Sequence, residues 1–289
     1  MSFKLDFVGV GAAKAGTTWL GQCLKEHPGV CMSDPKEVNY FGYKHVWPPS
    51  PTHYDKGLGW LEQRFAALQP GQVRGEYSVG YLIDPQSPQL IYEHNSDVKI
   101  IIALRNPIDA LYSFYFEVMK QYVVPESFAD FLNEYPDFIG YGFYPEHVRR
   151  YQERFAKEQL HFIFFDDIRR DPAGVLSDMF TFVGVDSDYE PPSLTKRVNE
   201  RREPKHLWLR DAIGGSRDFM RTHKSLHGLQ EMLRKMGVEK AVNWIQDNNR
   251  VATEFVPMDE SIRMKLQEIY APHNEEIGTM LQRDLLHWN

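Results

Sequence analysis

The sequence predicts a three-layer α/β domain, a central parallel sheet flanked by helices. Three observations carry that prediction. Short apolar runs recur along the chain, a helical pattern follows each, and the junctions are rich in Gly, Pro and Asn. Phe7-Val8-Gly9-Val10 reads as a buried strand. Thr17 to Glu26 reads as a helix with Trp19, Leu20, Cys23 and Leu24 on one face, and His27-Pro28-Gly29 stops it. Val98 to Leu104 is nearly continuous in apolar residues, as a strand covered on both faces should be. Arg105-Asn106-Pro107 follows, with Pro107 suited to the first turn of a helix. Leu160 to Phe165 gives a third strand, and Asp171-Pro172 opens a helix that Gly184 closes. Pro48, Pro49 and Pro51 place a loop over 45–58. A last helix is expected from about Asp259 to Leu285, kinked or broken near Pro272.

The chain has 289 residues, 42% of them apolar and 13% aromatic, enough to bury a large core. A single domain is expected over 1–289. Within it, 193–256 is rich in charge and reads as the helical segments Leu207–Ile213, Leu226–Met236 and Lys240–Ile245, a helical lid inserted over the sheet's open edge. A formal charge of −7 argues against a general nucleic-acid or heparin binder. Cys23 and Cys31 are too few for a disulfide scaffold or a four-thiolate zinc site, so two reduced thiols are expected. His223 and His227 stand four apart, but no third ligand is spaced to join them, so no metal site is expected. No basic segment precedes a long apolar run, and no apolar stretch reaches membrane-spanning length. The expectation is a cytoplasmic protein without a membrane span. Oligomeric state stays open, a homodimer included.

The loop Gly9-Val10-Gly11-Ala12-Ala13-Lys14-Ala15-Gly16-Thr17-Thr18 joins the first strand to the first helix. Such a junction suits an anion, because backbone N–H groups and the helix dipole both favour negative charge. A dinucleotide fingerprint fails at Lys14, where a small residue is needed. A triphosphatase loop has the Gly11 and Gly16 spacing but needs lysine where Thr17 stands. Arg105 leaves the carboxyl end of the central strand, where ligands of open α/β sheets bind. Ser113 lies eight residues on, and an arginine fork with a hydroxyl can grip one phosphate.

Lys14-Ala15-Gly16-Thr17-Thr18-Trp19 resembles the 5′-phosphosulfate loop of sulfotransferases that use 3′-phosphoadenosine 5′-phosphosulfate (PAPS). The run from Arg105 to Ser113 resembles their 3′-phosphate motif. Glu37-Val38-Asn39-Tyr40-Phe41 and Gly75-Glu76-Tyr77-Ser78 resemble segments of the Golgi heparan-sulfate branch and its bacterial relatives. Gly142-Phe143-Tyr144, Phe164-Phe165-Asp166-Asp167, Asp171-Pro172 and Arg283-Asp284-Leu285 to Trp288 also resemble the family. The likeness covers 5–185 and 257–289. The middle section departs from it, lacking the family's Lys-Gly loop. Asn248-Asn249-Arg250 stands near that place, with Arg250 the candidate second cation for the 3′-phosphate.

The resemblance implies a P-loop-like fold and a metal-independent sulfotransferase. It would move a sulfuryl group from PAPS to a hydroxyl, releasing 3′-phosphoadenosine 5′-phosphate (PAP). It places Ala13, Lys14, Ala15, Gly16, Thr17, Thr18, Trp19, Arg105, Ser113, Tyr144 and Arg250 at the nucleotide. Lys14 would meet the charge that grows on the leaving oxygen. Glu37 is the first candidate for the base that takes the acceptor's proton, Glu76 the second, and a lid histidine such as His206 or His223 an alternative. Tyr40, Phe41, Tyr43, Trp47, Tyr141, Phe143 and Tyr144 are candidate wall residues or core. The expected acceptor is a small-molecule, lipid or carrier-tethered hydroxyl, in keeping with the acidic balance; natural-product biosynthesis is one setting. Two other readings stay open: a kinase-like phosphotransferase using Mg-ATP, and a non-catalytic nucleotide-binding protein.

Overall fold

A computed structural model describes residues 3–42, 52–195, 202–204, 250–252 and 257–289. Five strands form one parallel sheet: β1 (Phe7–Gly11), β2 (Val30–Met32), β3 (Val73–Tyr77), β4 (Lys99–Leu104) and β5 (Leu160–Phe164). Their order is β2-β3-β1-β4-β5. β1 pairs with β3 from Phe7 against Gly75 and with β4 from Phe7 against Lys99, so it lies at the centre. Because all pairings are parallel, the carboxyl ends of the strands share one edge.

Helices follow the strands as the sequence leads one to expect. α1 (Thr17–Glu26) buries Trp19, Leu20, Cys23 and Leu24. α2 (Leu58–Glu62) and α3 (Ser87–His94) precede β3 and β4, and α4 (Pro107–Gln121) leaves β4. α5 (Phe128–Glu134) and α6 (Tyr144–Gln152) lead to β5. α7 (Phe165–Arg170) and α8 (Pro172–Val183) follow it. Asp171 caps α8 by accepting from the Gly174 N–H at 3.0 Å, and Gly184 ends it in the left-handed region. The core is dense around β4, where Ile100 to Leu104 are all buried, each Ile or Leu there contributing about 1.5–3 kcal/mol. Cys23 and Cys31 are buried free thiols, and burial pushes Cys23 up to about 12.

Three elements differ from the sequence expectation. β2 and β3 are strands that the apolar pattern does not announce. α9 (Glu260–Leu281) passes through Pro272 unbroken. Proline withholds one N–H, and Leu266, Tyr270, Asn274 and Ile277 are buried on either side, so packing holds the helix across it. It ends at Leu281 because Gln282 turns left-handed (φ 53°) and the Arg283 N–H reaches back to Gly278 O at 2.8 Å.

The chain divides into two compact units. One comprises 1–111, 137–198 and 264–289, and contains the sheet; the other comprises 112–136 and 199–263. Within the second, β6 (Arg202–Pro204) and β7 (Arg250–Ala252) pair antiparallel. The three helical segments expected in 193–256, with His206, His223 and His227, lie outside the described residues, as do Tyr43 and Trp47. No helix among the described residues is long and apolar enough to cross a membrane.

Candidate active site

The loop after β1 is shaped by its backbone. Gly11 has φ 140°, and a Cβ there would stand 2.7 Å from Val79 O. Gly16 has φ 84°, and its Cβ would meet Ile168 at 2.9 Å. Only glycine takes both the dihedral and the space. Gly16 caps α1 with no side-chain hydrogen bond, so the amides of the first turn stay uncovered by any capping side chain. That is the geometry an anion needs. Ala12 and Ala15 are buried, Ala13, Lys14 and Gly16 half-buried, Thr17 buried and Thr18 exposed. Lys14 sits at φ 63°, the left-handed region.

Arg105 emerges at the end of β4 and ties the loop to that strand. Its guanidinium donates to Lys14 O at 3.1 Å and lies 4.5 Å over the Phe165 ring. Burial pulls its pKa below the ordinary arginine value, with Asp109 opposing. Asn106 accepts from the Ile108 N–H at 2.9 Å, capping α4, while Pro107 opens that helix as expected. Its amide donates to Trp288 O at 3.1 Å. The Trp288 indole in turn donates to Asp166 at 2.9 Å. Asp166 is partly buried, which raises its pKa, but the bonds from Trp288 and His287 outweigh that and hold it below the usual carboxylate range. Ser113 falls two turns into α4, half-buried.

Glu37 lies on a strap that follows β2 and runs beside the end of β3. The Glu37 N–H donates to Tyr77 O at 3.1 Å, and its half-exposed carboxylate pairs with Lys36 Nζ at 3.0 Å. The Lys36 stem passes over Gly21 of α1, where a Cβ would meet it at 2.9 Å, and its ammonium stands 5.3 Å from the Tyr77 ring centre. The strap therefore brings Glu37 and Lys36 to the edge that also carries the Lys14 loop.

Three residues expected at the ligand are enclosed. Trp19 is buried and donates its indole N–H to Ser193 O at 2.9 Å. Tyr144 is buried and donates to Arg105 O at 3.0 Å, so it braces the arginine's backbone; burial raises its pKa. Glu76 is fully buried in β3, with Oε2 accepting from Ser78 at 2.7 Å. Each would reach the edge through another group. Arg250 lies in β7 of the second unit. Phe41 and Tyr40 pack in the core, ring centres 5.0 Å apart. Sequence reasoning missed Lys36, Ser78 and the Asn106–Trp288 link. Lys36 had a signal, a cation beside the candidate base; the other two connect residues far apart in the chain.

A family model described as "Sulfotransferase domain" matches residues 4–203, which include the Lys14 loop, the Glu37 strap and Arg105. The chain belongs to the sulfotransferase domain family. Among curated relatives, heparan sulfate glucosamine 3-O-sulfotransferase 5 of Homo sapiens is 26% identical over 199 residues, 65% of this chain and 54% of that protein. Heparan sulfate glucosamine 3-O-sulfotransferase 3B1 of Homo sapiens is 26% identical over 185 residues, 61% of this chain and 45% of that protein. The chain thus spans about half the length of these relatives. A solved sulfotransferase from Alicyclobacillus acidocaldarius shares the fold, with a TM-score of 0.71 at 23% identity over 99% of both chains. Among the described residues of this sulfotransferase domain, no three His, Cys, Asp or Glu side chains group as a metal site.

Proposed function

We propose that this sulfotransferase domain moves a sulfuryl group from PAPS to a hydroxyl. The observation that carries the reading is the Arg105 bond to Lys14 O, which joins a glycine-shaped anion loop to a cationic strand end. PAPS offers two anionic ends that suit two such places. The acceptor oxygen attacks sulfur, and the bond from sulfur to the 5′-phosphate oxygen breaks. The acceptor proton passes to Glu37, and PAP leaves. Lys14, the amides of Gly16 to Thr18 and the Thr17 and Thr18 hydroxyls stabilise the negative charge that grows on the leaving oxygen. Arg105, with Ser113 by its spacing on α4, takes the 3′-phosphate, and Arg250 is the candidate second cation by its place in the sequence. Family membership and the missing lysine at position 17 both speak against Mg-ATP phosphotransfer.

The acceptor we propose is an uncharged hydroxyl on a small molecule, a lipid or a carrier-tethered chain. The net charge of −7 supports this, since a polyanionic glycan would be repelled at long range. The test is thermal stabilisation by PAP, ATP and ATP with magnesium, on wild type and on Arg105→Ala and Arg105→Lys. Stabilisation by PAP that Arg105→Ala abolishes is expected. Stabilisation by ATP with magnesium alone would overturn the reading.

A further inference from the structure

We propose that Glu76 is a positioning residue for sulfuryl transfer, acting through Ser78 on the strap that carries Glu37; this rests on the reading of Glu37 as the base. The connection is a closed chain of hydrogen bonds. Ser78 Oγ donates to Glu76 Oε2 at 2.7 Å and accepts from the Asn39 N–H at 3.0 Å. Asn39 Nδ2 donates to Glu37 O at 3.1 Å, and the Glu37 N–H returns to Tyr77 O at 3.1 Å. The end of β3 and the residue after it thus grip both ends of a three-residue strap, once by backbone and once by the Ser78 side chain that Glu76 orients.

The strap needs that grip. Glu37 and Asn39 both adopt positive φ, 65° and 52°, a region unfavourable for residues with a Cβ. Such conformations persist where the surroundings over-determine them. Ser78 is wholly buried, so no water competes for its hydroxyl, and Glu76 fixes the direction in which that hydroxyl points. Its lone pairs are then left for the Asn39 amide.

Glu76 also faces a charged neighbourhood. The Tyr81 hydroxyl, which accepts from the Phe41 N–H at 3.1 Å, stands beside the carboxyl and favours its charged form. Lys36 and Glu37 face it from the strap, and Tyr151 from α6. Burial pushes the acid up to about 7; the Tyr81 and Ser78 hydroxyls and Lys36 work against this, and the Glu37 carboxylate adds to it. Near neutral pH the enclosed acid therefore changes charge beside the base it positions.

Release of sulfate from PAPS with water as acceptor tests this without knowledge of the natural acceptor. Ser78→Ala is expected to slow release at saturating PAPS by about tenfold to a hundredfold, since small misplacements of a reacting group cost that much. The PAPS concentration at half-saturation and the PAP thermal shift should stay at wild-type values, and Ser78→Thr should restore the rate. Glu76→Gln still accepts from Ser78 but cannot titrate, so the pH profile of release should lose its inflection near neutral pH. A wild-type rate in Ser78→Ala, or an inflection that survives Glu76→Gln, overturns the proposal. Where Ser78→Ala does not fold, Glu76→Gln decides alone. Absence of a PAP shift in wild type, or full release by Glu37→Gln, sinks the site reading and this proposal together. Slow Glu37→Gln beside fast Ser78→Ala sinks this proposal only.

Discussion

The Lys14 loop and the Glu37 strap stand at the same sheet edge and are shaped in different ways. The loop is fixed by backbone: Gly11 and Gly16 take dihedrals and spaces closed to other residues, and α1 starts without a side-chain cap. The strap adds side chains to one backbone bond: beside Glu37 N–H to Tyr77 O, Glu76 binds Ser78, which holds Asn39. A site for an invariant anion can be cast in main chain, whose amides all carry the same dipole. A base must be aimed at one proton, and aiming takes side chains.

The largest effect separating the two should come from Glu37→Gln. Loss of a general base is expected to cost about 10²–10⁴ in turnover, with PAP stabilisation unchanged, measured in a sulfate-release assay beside a thermal shift. Lys14→Ala should follow, at about 10²–10³, from loss of one preorganised charge at the leaving oxygen. If Lys14→Ala left turnover intact, the loop would be a structural turn and the comparison would fail.

Glu76→Gln sharpens the strap side through pH. The folded protein raises this acid from 4.5 to about 7, so it retains a proton that the unfolded chain releases. Stability from this group is full below about 4.5 and falls as pH rises through about 7. His94 and His147, both lowered to about 4 by burial, work the other way, losing stability as pH falls from 6.5 through about 4. Melting temperatures of wild type and Glu76→Gln should therefore converge in acid and separate above neutrality, the variant being the more stable. Parallel curves would show that Glu76 does not titrate there. The smallest effect is expected for Asn106→Ala, which removes a helix cap and should cost about 1 kcal/mol in denaturant unfolding, with weakened PAP binding.

The same contrast explains what was legible in the sequence. β1, β4, β5 and α1 could be read because their apolar runs and stop signals are local. The loop could be read because glycine spacing is local too. β3 could not, since Val73-Arg74-Gly75-Glu76-Tyr77 carries two charges and a glycine. Gly75 is there because a Cβ would run into the Phe7 ring, a demand set by its register partner on β1, far earlier in the chain. Glu76 is enclosed through partners that periodicity does not show. The break expected at Pro272 failed for a related reason: proline's local penalty was outweighed by packing on both sides. Tyr144 and Trp19 stand in the motifs that the sequence offers, but their direction inward depends on Arg105 O and Ser193 O, which no short motif encodes.

The bond from Asn106 to Trp288 O has a consequence for synthesis. It joins residues 182 positions apart, and one of them lies beside Arg105 at the carboxyl edge of the sheet. During translation the Lys14 loop and β4 emerge early, while the carbonyl that steadies Asn106 is made long afterwards. A nascent chain could fold its sheet and still hold the nucleotide poorly. Full affinity would arrive only once Trp288 has emerged, as a step rather than a gradual gain.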